Sequence, residues 1–169
     1  MLKNKKLQIM IEIALIVALS YVLAQFRLFR MPQGGSVTLT MVPLLVLAFR
    51  RGAGPAVLAG LLLGVLRLMD GYVLHFAQVV MDYPLPFALV GLAGFFPKQP
   101  VVGLVVGGLG RYASHVISGA VFFGMYAPEG MNPWLYSLSY NASFFVPELI
   151  ITGIVIRILW ARKDLFNVQ

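Results

Sequence analysis

Long uninterrupted apolar stretches limit this chain to very few folds. A helix needs about 20 predominantly apolar residues to cross a bilayer. Six stretches approach or exceed that length, and they cover approximately residues 7–28, 37–50, 53–70, 73–96, 101–124 and 134–161. They do not alternate apolar with polar residues as the strands of a membrane barrel do. Because backbone groups in lipid must be satisfied within the protein, the stretches indicate membrane-spanning helices.

The composition agrees with a lipid environment. Charged residues make up 11% of the 169 residues, and the mean hydropathy is +0.88. A soluble domain has about 25% charged residues, so this chain lacks the polar surface that a soluble globule needs. The sequence therefore predicts an all-α integral membrane protein, a single bundle of six transmembrane helices over residues 1–169. The second helix is short and contains Pro43.

The positions of the basic residues predict the orientation of the bundle. Most of them fall on one side if the six helices alternate, at Lys3, Lys5, Lys6, Arg50, Arg51, Lys98, Arg157, Arg162 and Lys163. Cytoplasmic loops of membrane proteins carry an excess of Lys and Arg. We therefore expect cytoplasmic N and C termini in a multi-pass protein of a bacterial plasma membrane. This lipid-related pattern accounts for the net charge of +7, so no nucleic-acid partner is expected.

The residue sets that common reactions need are missing from the sequence. There is no cysteine, and the two histidines, His75 and His115, are far apart, so neither a metal site nor a cofactor is expected. The sequence contains no nucleophile–histidine–acid set and no glycine-rich phosphate loop followed by lysine. These observations predict a protein that is not an enzyme. Energy for any active transport then has to come from elsewhere.

Acidic residues inside the apolar stretches are the strongest indication of function. Asp82 lies in residues 79–87, VVMDYPLPF, Glu148 lies in the sixth stretch, and Asp70 lies nearer an end. An ionisable residue in a membrane is expensive, and a buried carboxylate needs a basic partner or a cationic ligand. The protein partners to consider for Asp82 are Arg67, Arg111 and His115. The sequence leaves open both a structural ion pair and a site for a cation.

Neighbouring helices bring polar and aromatic groups to the same outer end. Arg111, His115 and Gly119 are four residues apart and share one helix face. The sixth helix begins YSLSYN at residues 136–141. Aromatic faces attract cations and a carboxylate adds a counter-charge, so we expect a pocket for a flat, polar, cationic ring. An aromatic belt at the membrane interface is the alternative explanation.

Two further surfaces have alternative explanations. Residues 29–36 form a glycine-containing outer loop, which we interpret as a mobile lid or as an ordinary surface loop. Ala14 and Ala18 lie one turn apart on the first helix. Small residues let membrane helices approach closely, so this pair indicates either internal packing or a docking stripe for another membrane subunit.

Taken together, the motifs resemble the thiamine-specific substrate-binding membrane subunits, or S components, of energy-coupling-factor (ECF) transporters. The resemblance covers nearly the whole chain. It rests on the Ala14–Ala18 pair and on the stretches MPQGGS, MVPLL, RRG, DGY, QVVMDYPL, RYASHVISG and YSLSYN. Each motif is a weak signal by itself, and the combination is specific.

This resemblance implies a six-helix fold that binds thiamine near the outer face, beneath the loop between the first two helices. It also implies partners. The subunit docks through Ala14 and Ala18 on a transmembrane coupling subunit, which is shared with two ATP-binding subunits. ATP hydrolysis on those partners then delivers the vitamin inward, and the S component itself has no cofactor.

The resemblance further implies which residues bind thiamine. They are Tyr72, Gln78, Asp82, Tyr83, Arg111, His115, Gly119, Phe123, Tyr136 and Asn141. Three positions depart from the family pattern, which has Glu at Asp82, Trp at Phe123 and Trp in the lid at Gly34–Gly35. The shorter carboxylate and the smaller stacking surface bear on affinity more than on ligand class.

Three other functions remain open at this stage. One is an S component for another vitamin or a thiamine precursor, such as riboflavin or hydroxymethylpyrimidine. Another is an intramembrane enzyme, which would need a metal or a nucleophile. A channel is the third, but its polar residues should cross the whole bilayer. Here the polar residues lie mainly in the outer half of the bundle. The inner halves of the fourth and fifth helices are apolar, with the sequences FALVGLAGFF and VVGLVVGGLG.

Overall fold

The computed structural model describes residues 4–32 and 34–166, so Lys3 of the predicted cytoplasmic cluster lies outside the described residues. Its α-helices are α1 (Lys5–Gln25), α2 (Met41–Arg51), α3 (Ala53–Arg67), α4 (Phe76–Asp82), α5 (Pro84–Val90), α6 (Pro100–Phe122) and α7 (Pro133–Trp160). Strands β1 (Phe29–Arg30) and β2 (Ser36–Val37) form an antiparallel hairpin between α1 and α2. Short 3₁₀ segments cover Leu68–Asp70, Gly91–Phe95, Gly124–Tyr126 and Lys163–Leu165.

Most of the predicted membrane segments are present as long apolar helices. In the described part of the chain, five stretches are long and apolar enough to cross a membrane, namely Lys5–Gln25, Ala53–Asp70, Phe76–Phe95, Pro100–Phe122 and Pro133–Trp160. Their outward side chains include many large apolar residues, as expected where lipid replaces water. The prediction of an all-α membrane bundle is therefore confirmed. The side of the membrane on which the termini lie stays a prediction.

The second predicted segment differs because its helix is too short to cross the bilayer. α2 has 11 residues, which gives a length of about 17 Å against a hydrocarbon core of about 30 Å. It lies at the centre of the bundle, with Met41, Leu44 and Leu45 fully buried. The non-helical segment before it carries the buried residues Thr38 and Thr40. Non-helical backbone at membrane depth is tolerated when protein surrounds it, so the helix begins at Met41 and not at residue 37.

The fourth predicted segment, residues 73–96, is not one continuous helix. α4 ends at Asp82 and α5 begins at Pro84. Proline has no N–H and disfavours helical backbone at the preceding residue, and Tyr83 accordingly has φ −120° and ψ −79°. The Tyr-Pro pair therefore places Asp82 at a helix end inside the membrane.

Glycines on α3 allow its backbone to contact the junction between α4 and α5. A Cβ added at Gly60 would overlap the carbonyl of Phe87, and one added at Gly64 would overlap the backbones of Tyr83 and Pro84. Membrane helices have no hydrophobic driving force toward one another, so close backbone approach of this kind stabilises their packing. The contact fixes the junction that holds Asp82.

We expect Gly64→Ala to destabilise the bundle by about 1–3 kcal/mol, because the added methyl group meets backbone atoms that cannot move aside. Gly54→Ala is the matched control on the same helix, since a Cβ there meets nothing within 4 Å. Thermal unfolding of the detergent-purified variants by circular dichroism measures both. Equal midpoints for the two variants would contradict the close α3–α5 contact.

Candidate functional site

A cavity of about 550 Å³ lies at the end of the bundle where α3 ends and α7 begins. Helices α4, α6 and α7 contribute ten of its lining residues, and the β1–β2 hairpin borders it. All ten residues that the resemblance implied as ligand contacts line this cavity, namely Tyr72, Gln78, Asp82, Tyr83, Arg111, His115, Gly119, Phe123, Tyr136 and Asn141. The structure brings these residues together, and their contact with a ligand stays a prediction.

Asp82 projects from the last residue of α4 and has two neighbours that are not permanently charged. Its Oδ2 accepts a hydrogen bond of 2.7 Å from Gln78 Nε2, and its Oδ1 lies 3.4 Å from His115 Nδ1. In the described part of the chain, no lysine or arginine forms an ion pair with this carboxylate. Of the partners that the sequence left open, Arg67 and Arg111 pair with other acids.

Arg111 pairs with Glu148 in the interior of the bundle. Arg111 Nη1 lies 3.0 Å from Glu148 Oε2, and the two residues are 7% and 0% exposed. The N–H groups of Arg111 do not point at Glu148 in hydrogen-bond geometry. The two side chains therefore attract each other as opposite charges, without a directed hydrogen bond. Thr38 donates to the other carboxylate oxygen at 2.9 Å, and the guanidinium lies 5.1 Å from the centre of the Phe87 ring. The pair joins α6, α7 and the segment before α2.

Asp70, at the rim of the cavity, also has protein partners. Its Oδ2 accepts hydrogen bonds from Tyr21 at 3.0 Å and Gln25 at 3.1 Å, and it lies 3.3 Å from Arg67 Nη1. These contacts join the ends of α1 and α3. Of the two described acids that line the cavity, Asp82 is thus the one without an arginine partner.

Aromatic rings form much of the remaining wall. Phe123, directly after α6, stacks on Tyr126 with ring centres 6.4 Å apart and 19° between the planes. Tyr136 and Tyr140, one turn apart on α7, have ring centres 5.7 Å apart. All four rings line the cavity together with His115. The space is therefore bounded by several π faces, which attract cations.

Two of the predicted contact residues hold the loop between α3 and α4. The Tyr83 hydroxyl accepts from the N–H of Tyr72 at 2.6 Å and donates to the Tyr72 carbonyl at 3.1 Å. Gln78 accepts from the N–H of Leu74 at 3.0 Å and donates to the Tyr72 carbonyl at 3.2 Å. The polar atoms of both side chains are thus engaged with protein backbone.

Gly119 and Asn141 meet where α6 approaches α7. A Cβ at Gly119 would overlap Ser137 Oγ and lie 3.3 Å from Asn141 Nδ2. Asn141 Nδ2 donates to the Ser137 carbonyl at 2.9 Å and lies 3.2 Å from Ser137 Oγ. The absence of a side chain at residue 119 therefore allows the Asn141 amide to occupy the cavity wall.

The β1–β2 hairpin is attached to α7 beside the cavity. Tyr140 donates a hydrogen bond of 2.8 Å to the Gly34 carbonyl, and Gly35 lies against the ring of Phe144. Gly34 and Gly35 have φ of +95° and +81°, a left-handed conformation that glycine adopts without a steric cost. Gly34, Gly35 and Ser36 line the cavity. Movement of residues 29–36 as a lid is a prediction that this geometry leaves open.

The sequence identified Glu148 as functional but did not identify two residues around its ion pair, namely Thr38 beside Glu148 and Phe87 beside Arg111. A signal was available in TLT at residues 38–40, where two hydroxyl side chains interrupt an apolar run. Polar residues beside a buried segment need partners, and an acid elsewhere in the membrane is a natural one. Phe87 has no such signal, because a phenylalanine in a membrane helix is ordinary.

The outer face of α1 carries the two predicted docking residues. Ala14 and Ala18 are exposed, whereas Ile13 and Val17 on the other face are buried. Packing within this chain therefore does not account for the two alanines. The stripe is left facing lipid or another membrane protein.

Comparisons with known proteins agree on one family. Residues 10–167 match the family described as "Thiamine transporter protein (Thia_YuaJ)". The chain is 38% identical over 178 residues to "Thiamine transporter ThiT" of Bacillus subtilis (strain 168), which covers 94% of this chain and 93% of the relative. It is 33% identical to "Thiamine transporter ThiT" of Lacticaseibacillus paracasei, over 94% of this chain and 90% of that protein. A solved structure of ThiT from Listeria monocytogenes matches with a TM-score of 0.88 and 32% identity, covering 96% of this chain and 99% of the other.

The buried Arg111–Glu148 pair predicts a non-additive stability effect. We expect Arg111→Met and Glu148→Leu each to destabilise the bundle by about 3–5 kcal/mol, because each leaves one buried charge without its partner. The double variant should be more stable than the sum of the single losses predicts. Thermal unfolding in detergent tests this, with Arg67→Met at the more exposed rim pair as the control, which should shift the midpoint much less. Additive losses would contradict a coupled pair.

Proposed function

The chain belongs to the thiamine transporter protein family, and we propose that it is the thiamine-binding S component of an ECF transporter, with the cavity as its binding site. Thiamine consists of a cationic thiazolium ring joined to an aminopyrimidine. The cavity volume of about 550 Å³ lies within the range of about 300–1,000 Å³ that is usual for small-molecule sites. The protein is a multi-pass membrane protein, as five apolar helices of spanning length require.

The main support for the proposal is that Asp82 lines the cavity without a lysine or arginine partner among the described residues. It lies on the cavity wall, and its closest hydrogen-bond donor is the neutral amide of Gln78. A carboxylate in this position is costly unless a cation offsets its charge. Thiamine brings such a cation, or a hydrogen-bonding aminopyrimidine, to the carboxylate. This answers why an acid is retained in an apolar membrane segment.

The remaining contacts follow from the shape and polarity of the ligand. His115 and Phe123 are assigned to the faces of its rings, since both line the cavity and aromatic faces attract cations. The Asn141 amide is assigned to the pyrimidine edge: its N–H group is bonded to Ser137, which leaves the carbonyl oxygen as an acceptor. Tyr136 supplies a hydroxyl group. Tyr72 and Arg111 complete the wall, and the ion pair of Arg111 with Glu148 gives Arg111 a structural role as well.

Residues 29–36 are assigned the role of a lid. The hairpin borders the cavity and is attached to α7 through the hydrogen bond from Tyr140 to Gly34. Glycine at residues 34 and 35 gives the turn backbone freedom. A lid of this kind opens for entry and closes over the ligand to exclude water.

The exposed stripe on α1 supports docking on a transmembrane coupling subunit that works with two ATP-binding subunits. Ala14 and Ala18 are exposed on the helix that also carries Leu15 and Leu19 toward lipid. A groove of small residues lets a partner helix approach closely. Energy for uptake then comes from ATP hydrolysis on the partners, with the termini of this subunit in the cytoplasm.

We expect Asp82→Asn to weaken thiamine binding by about 2–5 kcal/mol, the usual loss when one partner of a buried charge pair is removed. This corresponds to a rise in Kd of about 30-fold to several thousand-fold. Isothermal titration calorimetry of the detergent-purified protein measures it.

Asp70→Asn is the control for that experiment, because it removes the other carboxylate of the cavity, which already has Arg67 as a partner. Its effect should be much smaller. Unchanged affinity in Asp82→Asn would contradict the assignment of Asp82. Displacement of thiamine by riboflavin or hydroxymethylpyrimidine at equal concentration would contradict the assignment of the ligand.

Replacing both Ala14 and Ala18 by Trp should abolish co-purification with the coupling subunit, because a large side chain blocks helix approach. Thiamine affinity should stay within about threefold, because neither alanine lines the cavity. Ile150→Trp on the lipid-facing side of α7, where Ile150 is 57% exposed, is the control for added bulk. Persistence of the complex in the alanine variant would rule out this docking face.

A further inference from the structure

We propose that Gln78 is a positioning residue: it fixes the Asp82 carboxylate and thereby sets how strongly the cavity prefers a cationic ring over a neutral one. This inference rests on the proposed binding of thiamine. The resemblance places Gln78 among the ligand contacts, but its side chain is buried, with 1% of the residue exposed. Gln78 borders the cavity but exposes almost no surface there, so it offers a ligand less than Asp82 does.

Three hydrogen bonds give the Gln78 amide a single orientation. Nε2 donates to Asp82 Oδ2 at 2.7 Å and to the Tyr72 carbonyl at 3.2 Å, while Oε1 accepts from the N–H of Leu74 at 3.0 Å. These bonds use both N–H groups and the carbonyl, so an exchange of N and O would break all three. Gln78 precedes Asp82 by four residues on α4, which puts the two side chains on one helix face.

Asp82 depends on Gln78 more than on His115 for its orientation. The bond from Gln78 is 2.7 Å long, whereas His115 Nδ1 lies 3.4 Å away. A short bond from a neutral N–H to a carboxylate is strong and directional. Because the amide carries no charge, it orients the carboxylate and leaves the negative charge for the ligand. An arginine at the same place would cancel that charge.

The same amide also ties the carboxylate to the loop between α3 and α4. Its loss therefore has two effects, a free carboxylate and a loosened loop. Tyr83 allows the two effects to be separated, because its hydroxyl bonds the backbone of Tyr72 and not Asp82. Tyr83→Phe loosens the loop and leaves the hydrogen bond from Gln78 to Asp82 in place.

The experiment compares two ligands that differ in charge. Thiamine and deazathiamine, in which an uncharged thiophene replaces the thiazolium, are titrated calorimetrically into the full-length protein. Gln78→Met keeps the length of the side chain and removes the amide. We expect it to weaken thiamine binding by about 10- to 100-fold, as for the loss of a hydrogen bond to a charged group. Deazathiamine binding should change far less, so the affinity ratio of the two ligands falls.

Three companion variants identify the cause. Tyr83→Phe should weaken both ligands by the same factor, leaving the ratio unchanged. In an Asp82→Ala background, Gln78→Met should no longer alter the ratio, because the two residues act as one unit. Gln25→Met is the matched control: it removes a glutamine that donates to Asp70, a carboxylate that keeps its arginine partner, and the ratio should stay at the wild-type value.

The outcomes separate the inference from the proposed function. Equal loss for both ligands in Gln78→Met, or a Gln78 effect that persists in the Asp82→Ala background, would overturn the positioning role. If Gln78→Met does not fold, Gln78→Asn keeps a buried amide that is too short to reach Asp82, and it should show the same fall in ratio. A wild-type protein that binds neither ligand would overturn the proposed function instead.

Discussion

The buried ion pair between Arg111 and Glu148 determines what the cavity can do. Both charges lie in the interior of a membrane bundle, where an unpaired charge is costly, and each offsets the other. Arg111 also lines the cavity that contains Asp82, so a free guanidinium there would be the natural partner of that carboxylate. Because Glu148 engages it, Asp82 has no arginine partner among the described residues. The proposed preference of the site for a cation thus depends on an acid that does not line the cavity.

The position of Asp82 also depends on the break between α4 and α5 inside the membrane. Neighbouring helices stabilise this break. The Tyr83–Pro84 junction frees carbonyl groups at the end of α4, and these need partners in a medium without water. Ser114 of α6 donates a hydrogen bond of 2.6 Å to the Met81 carbonyl and satisfies one of them. The glycines of α3 allow close contact with the junction. Asp82 is held rigidly at the helix end as a result, although the helix itself is interrupted.

The sequence predicts the class of the fold and the membership of the cavity wall better than it predicts the pairing of charges. Apolar length and the spacing of Arg111, His115 and Gly119 are local properties, and they follow directly from helix geometry. The pairing of Arg111 with Glu148 depends on how α6 and α7 pack and on Thr38, more than a hundred residues away from Glu148 in the chain. The helix break at Tyr83 could be predicted from the sequence, because two prolines follow it closely. Hydropathy alone predicts a continuous segment.

The cavity is confined to one half of the bundle, and this limits how a ligand can cross the membrane. α2 fills the other half, where Leu44, Leu45 and Leu47 are almost completely buried, and α5 packs on α3 without intervening side chains at Gly60. Protein interiors of this kind are close-packed and do not deform continuously. Close-packed apolar side chains thus separate the cavity from the opposite face of the bundle. The proposed inward delivery therefore depends on a movement of the subunit relative to the membrane, driven by the proposed partner through the exposed face of α1.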